Sequence, residues 1–597
     1  MKIKILDENT INKISAGEVV ERPLNVVKEL VENALDAVAS SISVEIEKAG
    51  KKLIRVCDNG CGMDKEDLQL SVKRHATNKI NNFDDLSNIV SLGFRGEALP
   101  SIASISMFDI KTQRHGESSG WQLSVEGNKN SDIQPWAGSG GTIVEVRNLF
   151  FNTPVREKFL KTDITEKSKI ISCIDEISLV KHQVNFKIIS DNKIISDYQK
   201  TDSKIKRIED VLGKNMSKKL KHISFSHPKV EIEAFITTRE NSLAQKNLQY
   251  LFVNGRCVNY PKWLIHSVYQ AYKQAIPVGR YPGIIMFLTT NPSDIDINVH
   301  PTKREIKFVK ENEMYELFYS FIKGSVESDA PSNIIGLQTE EQKEEPYINK
   351  EYKSGGYSFG KKPYSHPYVK TANSAGNITV EDYKNLYPAL NERTLDNAVK
   401  QTEMISIDSY KFIGQIFTTY ILVEKDNTFY IIDQHAAQER VRYEMFVTQI
   451  SSKALNVQQL LIPDMFDLPA FKAVVLRNQL ETFNNLGFAV EEFGNNTFRL
   501  TSYPALLGIH INFIEIINTL IDFLADEKTN DIEEINEKII RAACRTSIKA
   551  GDKLLDKQAM ELMKDLFACK MPWTCPHGRP TVYTLTKNDL EKFFKRI

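Results

Sequence analysis

The chain has 597 residues, enough for about three or four domains of ordinary size. Hydrophobic residues make up 41% and charged residues 26%, as in soluble globular proteins. The 77 acidic and 77 basic residues balance, so the overall charge does not indicate nucleic-acid binding, although a local basic groove would suffice. No run of about 18 apolar residues occurs, so we expect neither a membrane span nor secretion. Seven scattered cysteines favour a reducing compartment, and we expect a cytoplasmic protein.

Composition divides the chain into four regions. Residues 1–325 alternate helical and strand patterns, and strands with a helix of their own recur after residue 216. We therefore expect one domain over 1–215 and a smaller α+β domain over 216–325. Residues 326–405 are rich in Lys, Glu, Ser, Tyr, Gly and Pro and nearly lack aliphatic side chains, which predicts a flexible linker. The globular pattern resumes over 406–597.

The first candidate site begins on a helix. Apolar residues recur every three or four positions over 24–38, which predicts an amphipathic helix. Its polar face carries Glu29, Glu32, Asn33 and Asp36. Most such faces are simply solvated, but an Asn among acids is a poor helix former. A strand over 53–56 follows and runs into Asp-Asn-Gly-Cys-Gly at 58–62, which alone could be an ordinary turn.

Three later segments make a nucleotide site the stronger interpretation. His-Ala-Thr-Asn-Lys-Ile at 75–80 and Gly-Phe-Arg-Gly-Glu-Ala-Leu at 93–99 are turns that could present backbone N–H groups to phosphates. Gly-Gly-Thr at 140–142 opens another strand. The pattern GxxxxGK[ST] does not occur in the sequence, so the site is not a P-loop.

In this order the segments resemble the ATPase family shared by gyrase, the heat-shock-ninety chaperone, histidine kinases and MutL. Residues 14–23 and 93–99 resemble the MutL version in particular. The resemblance implies an α+β multidomain protein. It would have an N-terminal GHKL (Bergerat) ATPase α/β sandwich, a ribosomal-S5-like second domain, a flexible linker, and a C-terminal α+β domain for dimerisation and endonuclease activity.

The same resemblance assigns roles at the nucleotide site. Glu32 would be the general base, Asn33 a magnesium ligand, and Asp58, helped by Thr142, the acceptor of the adenine amino group. Residues 75–99 would form a lid, and Lys303, on its own more often a surface lysine, would reach the γ-phosphate from the second domain. The implied ATP-binding residues are Asn33, Asp36, Asp58, Gly60, Gly62, Thr77, Asn78, Lys79, Gly93, Phe94, Arg95, Gly96, Glu97, Ala98, Leu99, Thr142 and Lys303.

A second candidate site follows a predicted strand over 429–432 and opens a predicted helix over 436–448. Asp433 would end the strand, and His435 and Glu439 would share one helix face. Such a pair is usually only a hydrogen-bonded surface pair. Cys575 and His577 add a C-x-H spacing in a proline-bounded loop, and Cys, His and carboxylate together suit Zn²⁺ or, through the acids, Mn²⁺ or Mg²⁺.

These segments resemble the pattern of MutL proteins that carry a latent endonuclease. The resemblance implies metal ligation by His435, Glu439, Cys544, Cys575 and His577, catalytic roles for Asp433 and Glu439, and a position for Glu444 near the site. Cys544 by itself would more often be a buried thiol. One departure is the segment 415–421, which matches a family motif only in part, with Phe417 where an acid is common. We interpret that segment as a strand away from the ligands.

Residues 458–463, Gln-Gln-Leu-Leu-Ile-Pro, could fill an apolar groove on a partner, although loops of this composition are common. They resemble the motif by which such nucleases bind the replication sliding clamp, which implies contacts from Gln458, Leu461, Ile462 and Pro463.

Together the resemblances imply a homodimeric DNA mismatch repair protein. ATP would drive closure on DNA and license a metal-dependent nicking endonuclease, with ATP, Mg²⁺, Zn²⁺ and Mn²⁺ as cofactors. DNA, a MutS-type mismatch sensor and the sliding clamp would be its partners. One alternative is an ATP-operated clamp or scaffold whose metal site is structural. Another is a chaperone or topoisomerase relative, which would have no use for the segments around 433–439 and 575–580.

Overall fold

The computed structural model describes most of the chain outside the predicted linker. The described residues are 19–79, 96–127, 129–243, 245–273, 275–277, 280–296, 304–327, 410–452, 455–494, 496–507, 512–526, 554–576 and 578–596. Within these ranges no helix is both long enough and apolar enough to cross a membrane.

The first sheet has nine strands in the order β5-β4-β3-β7-β2-β1-β8-β9, with β6 beside β4. The pair β1–β8 is parallel and the other pairs are antiparallel. The strands are β1 (Ser41–Glu47), β2 (Leu53–Asp58), β3 (Met107–Gln113), β4 (Gly120–Glu126), β5 (Lys129–Asn130), β6 (Gln134–Trp136), β7 (Gly141–Arg147), β8 (Asn185–Ser190) and β9 (Lys193–Tyr198).

A row of polar side chains crosses one face of this sheet. Strand register places Glu45 opposite Arg55, Arg55 opposite Glu145, and Glu145 opposite Asp109. Arg55 Nε donates to Glu145 Oε1 at 2.8 Å, and its guanidinium also bonds Glu45. Because side chains alternate between the two faces of a strand, the neighbouring Val44 and Val56 lie on the opposite, buried face. That apolar face is the one on which helices pack.

Helix α1 is the packed element that matters most for the first site. It begins with Pro23 at its first position, where a missing N–H costs nothing, and the Asn25 side chain accepts a bond from Arg22 N at 3.0 Å. It packs against β2 and α5, so its apolar stripe is buried. The helices of this region are α1 (Pro23–Asp36), α2 (Lys65–Ser71), α3 (Ala98–Ser104), α4 (Pro154–Lys158), α5 (Asp163–Val180), α6 (Lys204–Leu212) and α7 (Lys214–Ser217).

The second sheet lies between residues 220 and 290 and has a core of its own. Its strand order is β10-β11-β14-β12-β13. The strands are β10 (Leu220–His227), β11 (Val230–Thr237), β12 (Gln249–Val253), β13 (Arg256–Val258) and β14 (Ile284–Thr290). The remaining elements are α8 (Lys262–Tyr272), the short pair β15 (Ile295–Asp296) and β16 (Lys307–Phe308), and α9 (Glu311–Glu327), which packs against α8.

The C-terminal region contains two further sheets, with orders β17-β18-β19-β23 and β20-β22-β21. The strands are β17 (Lys411–Ile416), β18 (Tyr420–Lys425), β19 (Thr428–Asp433), β20 (Val457–Asp467), β21 (Ala489–Gly494), β22 (Thr497–Pro504) and β23 (Val582–Thr586). The helices are α10 (Gln434–Ser451), α11 (Ala470–Asn478), α12 (Leu480–Asn485), α13 (Phe513–Asp526), α14 (Asp556–Ala568) and α15 (Lys587–Phe593). Helix α10 packs against α14.

The predicted elements that bear on the two sites are confirmed: the helix over 24–38 is α1, the strand over 53–56 is β2, and the strand and helix around Asp433 are β19 and α10. The single strand expected over 415–421 is wrong. Phe417 and Thr418 have positive φ values and turn the chain between β17 and β18. Helix α9 continues to Glu327, two residues past the expected end of the second domain at residue 325.

Candidate functional sites

A cleft of about 1140 Å³ lies between α1, the end of β2, the start of β7 and the segments 75–79 and 96–99. Most of the predicted nucleotide-site residues come together on its walls: Glu32, Asn33, Asp36, Asp58, Gly62, Thr77, Asn78, Lys79, Gly96, Glu97, Ala98, Leu99 and Thr142. The predicted residues Gly93, Phe94, Arg95 and Lys303 lie outside the described part of the chain. The volume of the cleft is large enough for a ligand of the size of a nucleotide.

Asp58 marks one end of the cleft. Gly60 N donates to its Oδ1 at 2.8 Å. Burial raises the pKa of Asp58, while the backbone N–H groups of Gly60 and Thr142 lower it, and burial prevails. Because carboxylate oxygens accept hydrogen bonds, Asp58 on the wall of the cleft can accept one from an amino group.

Thr112 supports this end of the cleft and was missed by the sequence analysis. It is fully buried on β3, and its Oγ1 lies 3.0 Å from Thr142 Oγ1 and 2.9 Å from Met63 N. It therefore ties the strand carrying Thr142 to the turn after Asp58. Strand register, which pairs Thr112 with Thr142, is the signal that identifies it.

The glycines of the turn are required by space and conformation. A Cβ on Gly60 would lie 2.7 Å from Ala37 O at the end of α1. Gly62 has φ +68°, and its Cβ would lie 2.1 Å from Gln113 O. Side chains at either position would push the turn away from α1 and β3, and the Asp58 end of the cleft would open.

The wall of the cleft that α1 forms is acidic. Lys79 Nζ donates to Asn33 Oδ1 at 3.0 Å and to Asp36 Oδ2 at 2.6 Å. Lys28 Nζ lies 3.6 Å from Glu32 Oε1, one turn along the same helix. The amide and two carboxylates thus form a row of oxygen atoms along one helix face, which is a suitable environment for a hard cation.

Arg256 is a further residue near this acidic wall that the sequence analysis did not select. It lies on β13 and is only 9% exposed. Burial lowers the pKa of Arg256, while the charges of Glu32 and Asp36 raise it. The charges of two acids on α1 therefore act on a buried guanidinium that the second sheet carries. This proximity could be found only in three dimensions.

The two segments expected to contact phosphates are joined by backbone contacts. His75 N donates to Gly96 O at 3.1 Å, and Gly96 has φ +62°. Lys79 N donates to Thr77 Oγ1 at 3.2 Å. The bond from His75 to Gly96 joins the segment 75–79 to the chain that leads into α3, and the bond from Lys79 to Thr77 fixes the turn within the segment.

At the second site the structure brings His435 and Glu439 together. His435 Nε2 lies 3.3 Å from Glu439 Oε1, and Glu439 is 2% exposed. His435 Nδ1 is buried and has no hydrogen-bond partner among the described residues. Asp433 ends β19 and caps α10, where its carboxylate accepts from Ala436 N at 2.9 Å.

The loop carrying Cys575 is attached to the same helix. Arg440 Nε donates to Thr574 O, and Cys575, which is 2% exposed, donates from N to Arg579 O at 2.8 Å. Cys544 and His577 lie outside the described residues. In the part of the chain that is described, no group of three or more His, Cys, Asp or Glu side chains is arranged to hold a metal ion.

The Glu444 carboxylate accepts from the backbone N–H groups of Lys570 and Met571 at 2.6 and 3.0 Å, so it is bound to the chain that leads to Cys575. One expectation around this site is corrected. The segment 415–421 is not remote from the site. Gln415 Nε2 donates to the side chain of Gln434, the residue immediately before His435.

The segment predicted to bind a clamp lies within β20. The pairing of β20 with β22 is interrupted between Gln459 and Asp464. Leu461 is fully exposed and Ile462 is 83% exposed. Two large apolar side chains at a bulged strand are thus available to a partner.

Comparison with known proteins places the three parts of the chain. Residues 21–138 match the model of the histidine kinase-, DNA gyrase B- and HSP90-like ATPases. Residues 208–327 match the C-terminal domain model of DNA mismatch repair proteins. Residues 413–554 match the MutL C-terminal dimerisation domain.

Full-length relatives agree with these matches. The chain is 49% identical over 609 residues to the DNA mismatch repair protein MutL of Endomicrobium trichonymphae, and both chains are covered completely. It is 37% identical over 629 residues, again with complete coverage of both, to the MutL of Thermoanaerobacter pseudethanolicus. Among solved structures, the Aquifex aeolicus MutL ATPase domain complexed with ADP is 30% identical, with a TM-score of 0.35, over 46% of this chain and 94% of that one. The motifs, the α+β multidomain fold and the two full-length relatives agree, and the chain belongs to the MutL family of DNA mismatch repair proteins, with a GHKL-type ATPase domain and a C-terminal dimerisation domain.

Proposed function

We propose that this mismatch repair ATPase is also an endonuclease, and that binding of ATP licenses metal-dependent nicking of the strand to be repaired. The observation that carries the proposal is the pair formed by His435 and the buried Glu439, beside Asp433 at the end of β19. A buried imidazole nitrogen without a partner among the described residues is energetically costly unless something binds it.

At the ATP site, Glu32 would orient the attacking water and accept its proton. It stands one residue before Asn33 on α1, so base and metal ligand share one rigid helix. Asp58, at the end of β2, would select the adenine amino group. Thr77, Asn78 and Lys79 would contact the phosphates from one side, and Lys303 would do so from the second domain. This division of roles meets the needs of phosphoryl transfer to water, which depends on positioning and charge neutralisation.

The residues present suit magnesium at this site. Asn33 Oδ1 and the Asp36 carboxylate already bind a cation, the ammonium of Lys79. Magnesium, when bound, would neutralise charge on the phosphates. The chain's own contribution is to present Asn33 Oδ1 from a helix whose apolar face is buried.

The donor set at the second site also suits a metal. His435, Glu439 and Cys575 would hold Zn²⁺, together with Cys544 and His577, and Asp433 with Glu439 would hold Mn²⁺ or Mg²⁺. A bound metal would supply charge neutralisation for the phosphodiester and a hydroxide near neutral pH. Because Glu439 is buried on α10 next to the ring of His435, its carboxylate would have a fixed position relative to the metal.

The second candidate function is an ATP-operated scaffold whose metal site is only structural. The N-capping bond that Ala436 N donates to Asp433 Oδ1 favours this function, because that carboxylate already has a structural role. Under either function we propose the same organisation. It comprises an ATPase domain over 1–215, a second domain over 216–325, a linker over 326–405, and a C-terminal domain over 406–597 that forms a homodimer. A MutS-type mismatch sensor and the sliding clamp would be partners in the cytoplasm.

Nicking of supercoiled plasmid with Mn²⁺, with and without ATP and clamp, separates the two functions. Glu439→Lys and the neutral Glu439→Gln should abolish nicking and leave ATP hydrolysis intact, because the ATP site lies on other elements. Glu561→Lys, which reverses an exposed acid on α14 in the same region, is the matched control and should nick normally. Full Mn²⁺-dependent nicking by both Glu439 variants would remove Glu439 from the nuclease site, and a wild-type chain that does not nick with Mn²⁺ would leave the scaffold function standing.

A further inference from the structure

The ammonium group of Lys79 contacts Asn33 Oδ1, the atom proposed to bind magnesium. Lys79 Nζ is 3.0 Å from Asn33 Oδ1 and 2.6 Å from Asp36 Oδ2. Only 20% of the Lys79 side chain and 12% of the Asp36 side chain are exposed. The contact therefore sits inside the cleft, where solvent screens charges weakly.

Building on the proposed ATP site, we infer that Lys79 and magnesium compete for the Asn33 side-chain oxygen, so that Lys79 sets the magnesium concentration needed for nucleotide binding. Magnesium binds oxygen at about 2.0–2.1 Å, so it would lie within about 5 Å of the ammonium if both bound Oδ1. Like charges at that separation repel, and one must withdraw.

The structure indicates which partner withdraws. Asn33 stands on α1, whose Val26, Val27 and Val31 are fully buried, so this helix cannot shift without disturbing the core. Lys79 reaches Asn33 through a flexible four-carbon side chain. The side chain can swing away from α1 while its backbone remains held by the bond from Lys79 N to Thr77 Oγ1.

Withdrawal leaves Lys79 within the segment proposed to contact phosphates. The same ammonium would then be released from Asn33 and Asp36 at the point where magnesium and the negatively charged phosphates enter. Cation exchange on α1 would in this way be linked to phosphate binding by 77–79. This is a role for Lys79 in addition to phosphate contact.

The test is the magnesium dependence of binding of a fluorescent ADP analogue to the full chain. Lys79→Met should lower the magnesium concentration for half-maximal binding about threefold or more, the effect of removing one competing charge. Lys79→Arg keeps the charge and should stay close to wild type. Lys28→Met is the matched control, since it removes a cation from the same cleft that pairs with Glu32 instead of Asn33. Its effect should be smaller.

A second readout needs no nucleotide. Magnesium alone should raise the thermal unfolding midpoint of Lys79→Met at lower concentrations than it does for wild type. Lys79→Gln serves the same purpose if Lys79→Met is unstable.

The outcomes separate this inference from the proposed function. An unchanged magnesium midpoint in both neutral variants, with weaker ADP binding at saturating magnesium, would make Lys79 a phosphate contact only and overturn the inference. If the wild-type chain bound ADP without magnesium dependence, the proposed magnesium site at Asn33 would fail first.

Discussion

The Glu176 carboxylate on α5 accepts a hydrogen bond from the Arg304 guanidinium, and this ion pair joins the first sheet region to the second. The backbone of Arg304 is held as well, because its carbonyl accepts from Asn259 N at 2.7 Å. Burial lowers the pKa of Arg304, but the neighbouring Glu176 charge, followed by the Cys257 and Cys173 thiols, raises it further than burial lowers it. The pair is thus a charged connection in a partly buried position.

A double-mutant cycle should detect this connection. Glu176→Gln and Arg304→Gln should each lower the unfolding free energy, and the double variant should lose less than the sum, with a coupling of about 1 kcal/mol. Chemical denaturation of the full chain and of the three variants measures it. The exposed pair of Lys206 and Asp210 on α6 is a comparison that should show weaker coupling. Additive effects at Glu176 and Arg304 would show that the pair contributes little.

Substitutions of the two neighbouring residues Glu32 and Asn33 should impair different steps, hydrolysis in the first case and nucleotide binding in the second. Glu32→Ala should bind ATP and hydrolyse it at least ~10²-fold more slowly, the usual contribution of a general base. Asn33→Ala should instead lose magnesium-dependent nucleotide binding, because it removes a metal ligand. Equilibrium binding and steady-state hydrolysis, measured on the same preparations, separate the two. Turnover near the wild-type rate in Glu32→Ala would remove this carboxylate from the mechanism.

The exposed segment of β20 should act in clamp binding alone. Gln458→Ala combined with Pro463→Ala should remove stimulation of nicking by the sliding clamp and leave ATPase activity and dimerisation unchanged, because the segment would supply docking and not chemistry. Phe493→Ala is a matched control, since this aromatic is 63% exposed on β21 of the same sheet. Equal stimulation of the double variant and the wild type would make the segment an ordinary surface strand.

Asp175 should make stability depend on pH. Burial raises the pKa of Asp175 to about 8, the Tyr198 hydroxyl that donates to its Oδ1 at 2.7 Å lowers it, and Oδ2 is buried without a partner among the described residues. The folded state therefore binds this proton more tightly than the unfolded chain does. The resulting stability is complete below the unfolded pKa and is lost as pH rises towards 8.

Asp175→Asn should remove that loss. Relative to wild type, the variant should gain about 2 kcal/mol in unfolding free energy between pH 6 and pH 8 and then level off. Chemical denaturation at several pH values measures the difference. Tyr198→Phe should shift the loss to higher pH, because the Tyr198 bond is what lowers the Asp175 pKa. A difference that stays constant with pH would mean that Asp175 is charged in the folded protein throughout this range.

Local pattern alone was sufficient for the elements that carry the two sites. The spacing of apolar residues over 24–38 determines α1, because a 3.6-residue period buries one face whatever it packs against. Glycines at 60 and 62 are typical of a turn, and the strand pattern over 429–432 correctly predicts that Asp433 ends β19. The local pattern gave a wrong prediction around Phe417. There Phe417 and Thr418 adopt the left-handed conformation and reverse the chain within a segment that otherwise has the composition of a strand.

Tertiary structure decided which groups meet across long separations in sequence. Three interactions depend on how separate elements pack. They are the hydrogen bond of Lys79 to Asn33, the effect of the α1 acids on Arg256, and the ion pair of Arg304 with Glu176. The same holds for Glu444, which the sequence places near the metal site and the fold uses to hold residues 570 and 571. The physical reason is that periodicity and turn chemistry act within a few residues. The partner of a charged side chain is set by burial and strand order over the whole domain, and no local pattern in the chain records it.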